Sequence, residues 1–290
     1  MSDAVSSGAG PVAPCKPKPV SPECAKLAHA HDMAELSGHT YGNTAVPPGY
    51  KYLDPTNPAD RAKLASINVS PDDLSPSGSQ FRAQIFEKEG ADPPGYVVAF
   101  KGTTPTSLED WQNNAQQAFG FKSAYYEDAT NLASKVQAGT TGDSVEFTGH
   151  SLGGGMASAA SAVTGDPATT FNAAGLNPIT VEQAGAGPAA FSSTGDNVTA
   201  YHVAGEILTG LQSHPYAALM SVPFLGPVLA LAKLFRGNKM LPPAAGQSVI
   251  LPAVPPPDAS AFDKVNPVAR HGMDWVIRGI EKDQKDHGCL

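Results

Sequence analysis

One run, Gly149-His150-Ser151-Leu152-Gly153-Gly154-Gly155, constrains the fold of this chain more than any other of its 290 residues. Val145-Glu146-Phe147-Thr148 before it reads as a short strand of β-branched and aromatic residues, and Met156-Ala157-Ser158-Ala159-Ala160-Ser161-Ala162-Val163 after it reads as a closely packed helix. Glycines on both sides of Ser151 are what a sharp strand-to-helix turn requires, because side chains at Gly149 or Gly153 would collide with the flanking strand and helix. A serine held on such a turn is presented as a nucleophile. The Gly-x-Ser-x-Gly spacing alone is a weak signal; the strand before it and the small-residue helix behind it make it specific.

The rest of the chain reads as one large α/β domain. Residues 1–24, with Pro11, Pro14, Pro17, Pro19 and Pro22, predict a flexible Pro-rich arm, and residues 25–290 a domain large enough to bury a sizeable core. Ala25 to Leu36 carries helix formers with apolar residues three and four apart and ends near Gly38; a proline-punctuated loop follows from Pro47 to Pro58. Phe81 to Glu87 alternates apolar and polar residues, turns through Glu89-Gly90-Ala91-Asp92-Pro93-Pro94-Gly95, and returns as Tyr96-Val97-Val98-Ala99-Phe100. Ala124 to Ala138 puts Tyr125, Ala129, Leu132 and Val136 on one helical face. Beyond the serine come strand candidates at Thr169–Ala173, Val198–Val203 and Gln247–Leu251, then a helix from Met273 to Gln284 with Trp275, Val276 and Ile280 inward. This alternation predicts a mostly parallel central sheet flanked by helices.

The formal charge of -8, with lysine and arginine scattered, leaves no electrostatic footprint for nucleic acid. Anionic lipid would mildly repel such a chain, so any membrane contact is expected to be apolar. The N-terminus lacks the basic segment and continuous apolar run of a secretory signal, and classical export is not expected. Cys15 and Cys24 lie close enough to form a small disulfide in an oxidising space, leaving Cys289 over; three free thiols are the other reading. No Cys/His cluster has zinc-site spacing, so no structural metal is expected.

A serine hydroxyl needs a general base within reach, and the base needs an acid to fix its tautomer. His271 is the favoured base, in an Arg270-His271-Gly272 turn between the last strand and the C-terminal helix. His202 falls inside a strand, His214 before Pro215, His287 in the charged tail, and His150 inside the turn with its side chain pointing away from the Ser151 hydroxyl. Glu206, just past the Val198–Val203 strand, is the favoured acid, and Asp196, at the start of that strand, is the alternative. A developing oxyanion needs two fixed N–H donors, which Leu152 and Thr103 are placed to give, Thr103 following the strand that ends at Phe100-Lys101-Gly102. Such chemistry calls for no cofactor.

These residues resemble the class 3, or fungal-type, triacylglycerol lipases, and more closely the bacterial lipase effectors of type VI secretion. The matching pieces are Ala34-Glu35-Leu36-Ser37 with Tyr41, Val98-Ala99-Phe100-Lys101-Gly102-Thr103 with Asp110-Trp111, the serine turn, Thr170-Phe171-Asn172-Ala173-Ala174-Gly175-Leu176, and Gly205-Glu206-Ile207-Leu208. The resemblance implies an α/β-hydrolase fold, Ser151 as nucleophile, His271 as base, and Thr103 with Leu152 as oxyanion donors. Lys101 stands where these lipases usually have arginine, and Glu206 where they usually have aspartate. A lipid or phospholipid substrate is implied, as are delivery to a target-cell envelope by a non-classical route, a secretion-apparatus carrier and a neutralising immunity protein. A small-ester esterase that never touches membrane and a non-catalytic hydrolase-fold binding module are the competing readings.

An insertion at about 207–246 holds an uncharged stretch from Tyr216 to Ala232, interrupted by Pro223, Gly226 and Pro227 and followed by Lys233, Arg236 and Lys239. The interruptions argue against a membrane span and for two short helices. Residues 216–235 are expected to be either a lid that meets the lipid surface or a helical pair buried against the core.

Overall fold

Tyr96-Val97-Val98-Ala99-Phe100 is apolar at every position, the signature of a strand covered on both faces, and the structure covers it so. The computed structural model describes residues 20–102, 124–140, 144–183, 195–213 and 242–290. Within these, seven strands form one sheet in chain order: β1 (Tyr50–Tyr52), β2 (Ala83–Lys88), β3 (Gly95–Phe100), β4 (Ser144–His150), β5 (Ala168–Phe171), β6 (Val198–Val203) and β7 (Gln247–Leu251). β2 pairs antiparallel with β1 on one side and with β3 on the other, and β3 to β7 are parallel, with Phe100 opposite Gly149 and His150 opposite Phe171. The result is a mixed, mostly parallel sheet between helices, an α/β-hydrolase-type fold.

Helices α1 (Pro22–His39) and α8 (Met273–Asp286) cover one face. The other is covered by α2 (Pro58–Ser66), α3 (Pro71–Leu74), α4 (Ala124–Gly139) and α5 (Leu152–Thr164). Two shorter helices, α6 (Pro178–Gln183) and α7 (Ile207–Ser213), follow β5 and β6. Strand alternation divides the core: Tyr96, Val98 and Phe100 meet Leu132, Val136 and Met156, while Val97 and Ala99 meet Met33, Trp275 and Ile280. Fully burying a side chain such as Ile280 is worth roughly 1.5–3 kcal/mol.

Three short elements add to those expected, one of them, β1, inside the stretch from Pro47 to Pro58 that reads as loop. β1 is a three-residue edge strand between prolines, too short to show a period. α2 starts on an Asn57 cap, whose Oδ1 accepts the Ala59 N–H at 2.9 Å, with Pro58 in the first turn. α3 starts on a capping box between Ser70 and Asp73. α1 begins at Pro22, inside the stretch expected to be arm, because Ser21 caps it by accepting the Cys24 N–H at 3.1 Å. The expected lid at residues 216–235, with its uncharged stretch 216–232, and Cys15 lie outside the described residues.

The cysteine expectation is corrected. Cys24 bonds to Cys289, 265 positions further along the chain, with their Cα atoms 5.3 Å apart. Sequence proximity favoured Cys15, but packing of α1 against α8 brings the N-terminal turn of one helix to the C-terminal end of the other.

Candidate active site

Ser151 sits between β4 and α5 at φ 58° and ψ -123°, a conformation that L-residues adopt only when their surroundings enforce it. Here the backbone on both sides enforces it. The Ser151 N–H donates to the Phe171 carbonyl at 3.0 Å, and the Ser151 carbonyl accepts from Ala174 at 2.9 Å and Gly155 at 3.2 Å. A Cβ on Gly149 would strike the Gly153 backbone, and one on Gly153 would strike the Phe100 carbonyl. Strand β3, strand β4 and helix α5 can approach this closely only through glycine.

Glu206 follows a turn at Ala204-Gly205 off the end of β6, with Gly205 at φ 72°. Its buried carboxylate caps α7, accepting the Leu208 N–H at 2.8 Å and the Thr209 N–H. It also accepts from Nδ1 of His271 at 2.7 Å. Burial opposes its ionisation, but the hydrogen bonds from His271 and Thr209 and the nearby imidazole outweigh it, and the carboxyl is held below its ordinary value. His271 is buried in a 3-10 turn, Ala269–His271, directly before α8. Because Nδ1 donates to the carboxylate, the neutral ring keeps Nε2 as the proton acceptor.

The His271 carbonyl is held as firmly as the ring. It accepts from His150 Nε2 at 2.7 Å and from Asn172 Nδ2 at 3.0 Å, and the two imidazole rings lie 4.8 Å apart. Asn172 is fully buried just past β5 at φ 43°, with its Oδ1 accepting the Val203 N–H at 2.9 Å. It therefore ties together the ends of β5 and β6 and the turn that carries His271.

Of the expected site residues, Ser151, Leu152, Glu206 and His271 gather at the C-terminal edge of the parallel strands. Leu152 opens α5, where first-turn N–H groups have no acceptor within the helix. Thr103 and His214 lie outside the described residues. Asp196 is exposed before the first residue of β6, at the opposite end of the strand from Glu206. His202 is half-buried on β6 with Ser248 Oγ at 3.4 Å, and the exposed His287 meets the Asp283 carbonyl at 2.8 Å. Tyr41 and Asn172 are contacts that sequence reasoning did not assign to the site. The available signal was their position just past α1 and β5, where the chain passes the strand ends. Away from this edge, His31, Asp32 and Glu35 on α1 bring one donor atom each within 4.8 Å of one another, the described side chains nearest to a metal-ligand set.

A family model described as phospholipase-like, the Tle-like phospholipase domain, matches residues 32–257. This chain belongs to that family. The matched stretch of the Tle-like phospholipase domain takes in Ser151 and Glu206 and ends before His271. Over 127 residues, 44% of this chain, the sequence is 39% identical to an extracellular phospholipase A1 of Serratia liquefaciens. The alignment spans 38% of that protein's length. The crystal structure of TT1662 from Thermus thermophilus aligns with 70% of this chain and 99% of its own at 15% identity and a TM-score of 0.25, too slight a likeness to argue from. Among the described residues, no helix is long and apolar enough to cross a membrane.

Proposed function

We propose that this Tle-like phospholipase domain hydrolyses carboxylic esters of phospholipids by a serine mechanism. The observation that carries the reading is the 2.7 Å Glu206–His271 pair, buried beside a serine held at positive φ at the strand edge. Ser151 Oγ attacks the acyl carbonyl while His271 Nε2 takes its proton. Glu206 stabilises the imidazolium that forms, as a buried carboxylate with two backbone N–H partners is suited to do. The Leu152 N–H, with Thr103 as second donor, holds the oxyanion. His271 then protonates the leaving alcohol, and water, deprotonated by the same ring, releases the fatty acid from Ser151. No cofactor takes part in these steps.

Family membership and the likeness to a phospholipase A1 support a phospholipid over a neutral glyceride. The resemblance to class 3 lipases supports the same assignment of Ser151 and His271, while Glu206 stands where those lipases usually have aspartate. In this reading the catalytic domain begins with α1 at Pro22 and runs to residue 290, and residues 216–235 are a lid that meets the lipid surface. Its biological setting is that of an antibacterial effector, exported by a type VI-like route on a carrier and neutralised at home by an immunity protein.

A panel of phospholipid vesicles, triglyceride emulsion and a soluble short-chain ester, assayed with wild type and Ser151→Ala, tests the proposal. Phospholipid hydrolysis that falls by about 10³-fold or more in the variant is expected. Undiminished activity would overturn the mechanism, and preference for the soluble ester would overturn the substrate class.

A further inference from the structure

His150 is part of the serine turn, is buried, and has no step in the mechanism above. Its two ring nitrogens nevertheless face different partners. Nε2 lies 2.7 Å from the His271 carbonyl, which can only accept, so Nε2 carries the proton and Nδ1 is left as acceptor. Tyr41 Oη lies 3.3 Å from that Nδ1 and 3.4 Å from the His150 carbonyl, both acceptors, so the phenol donates to His150. The same oxygen accepts the Gly102 N–H at 2.8 Å. Every proton in the series is thereby assigned: Gly102 donates to Tyr41, Tyr41 to His150, and His150 to the carbonyl of His271.

Gly102 is the residue before Thr103, on the loop that would supply the second oxyanion donor. We infer that Tyr41 and His150 are positioning residues that set the Gly102 backbone and the His271 turn at a fixed separation across the serine. This rests on the serine-hydrolase reading. It also accounts for a side chain that reading leaves idle: Lys101 places its ammonium 5.6 Å from the centre of the Tyr41 ring. The relay requires a neutral His150. Burial, together with the neighbouring His271, pulls its pKa down to about 3, while Glu206 acts in the opposite direction. Burial likewise keeps the Tyr41 hydroxyl protonated.

Steady-state kinetics on phospholipid vesicles, together with histidine ¹⁵N spectra of the wild-type chain, test the inference. Tyr41→Phe should lower kcat by about tenfold or more with KM within about twofold, because a misplaced oxyanion donor acts on the transition state and not on substrate binding. His150→Gln, which keeps a donor towards the His271 carbonyl, should retain more kcat than His150→Leu. The Tyr41→Phe/His150→Leu double variant should fall little below the worse single one, as members of one unit do. The spectra should show His150 as the neutral Nε2–H form down to about pH 5.

Wild-type kcat in Tyr41→Phe, beside a dead Ser151→Ala, would overturn the relay and leave the hydrolase reading intact. An active Ser151→Ala would overturn that reading instead. The wild-type spectra stand even if His150→Leu does not fold: protonation at Nδ1, or at both nitrogens at that pH, would overturn the relay.

Discussion

Among the described residues, two histidines hold a carboxylate at 2.7 Å, and they sit in very different surroundings. His29 reaches from α1 to Glu146, in the middle of β4, with its own side chain 42% exposed. That carboxylate has further partners: Lys88 at 3.5 Å and the Thr169 hydroxyl at 3.2 Å. His271 reaches Glu206 with only 7% of its side chain exposed, and Glu206 takes its other contacts from backbone N–H groups of α7. A histidine-carboxylate pair is thus no site in itself. The first pins a helix to a strand through a cation-rich, partly wet network. The second sits at the strand ends beside the serine, with its carboxylate tuned by fixed dipoles and its ring turned by the bond to Glu206.

The comparison is sharpest when each pair is broken in turn. His271→Ala should lower kcat on phospholipid by about 10⁴-fold, with His29→Ala within about twofold of wild type. Equal losses would erase the distinction. The disulfide holds together the two helices on which the pairs depend, since α1 carries His29 and α8 follows His271. Cys289→Ala should therefore destabilise the fold by about 2–5 kcal/mol in denaturant unfolding, with a much smaller effect on kcat of the folded fraction. Glu146→Leu should cost about 1–3 kcal/mol of stability and leave kcat unchanged, through the hydroxyl and cation it leaves unpaired.

Acid and base act on the two pairs in opposite senses. The hydrogen bond to Glu146 raises the His29 pKa above 6.5, so this pair's contribution is complete below that value and is lost as pH rises through the raised folded one. Glu206 is lowered below 4.5, so its contribution is complete above that value and is lost as pH falls through the folded one. Melting temperatures of wild type against His29→Ala should converge at high pH, and a constant gap would refute the assignment. The smallest effect belongs to Asp196→Asn, exposed at the wrong end of β6, which should shift neither kcat nor stability beyond about 0.5 kcal/mol.

Much of this site was legible in the chain because chemistry dictates its local sequence. The glycines around Ser151 are required by backbone contacts with Phe100 and Gly153, so they mark the turn wherever it occurs. Glu206 and His271 could be placed because a strand end and a turn before a helix are local features. β1 escaped because three residues carry no period. α2 and α3 were signalled by Asn57-Pro58 and by Ser70 with Asp73, and these cap signals were hidden only by the density of prolines around them. The contacts of Tyr41, His150 and Asn172 depend on donors from three separate elements converging, and the Cys24–Cys289 bond on two helices packing side by side. Neither has a one-dimensional trace.

That bond also fixes a direction. α1 rises from Cys24 towards Tyr41, and α8 descends from the His271 turn towards Cys289, so the crosslink and the serine lie at opposite ends of helices roughly 20 Å or more in length. A dye, a surface tether or a fused domain attached next to either cysteine would hold the molecule from behind. The strand edge would be left facing outward, towards whatever membrane the surface is brought against.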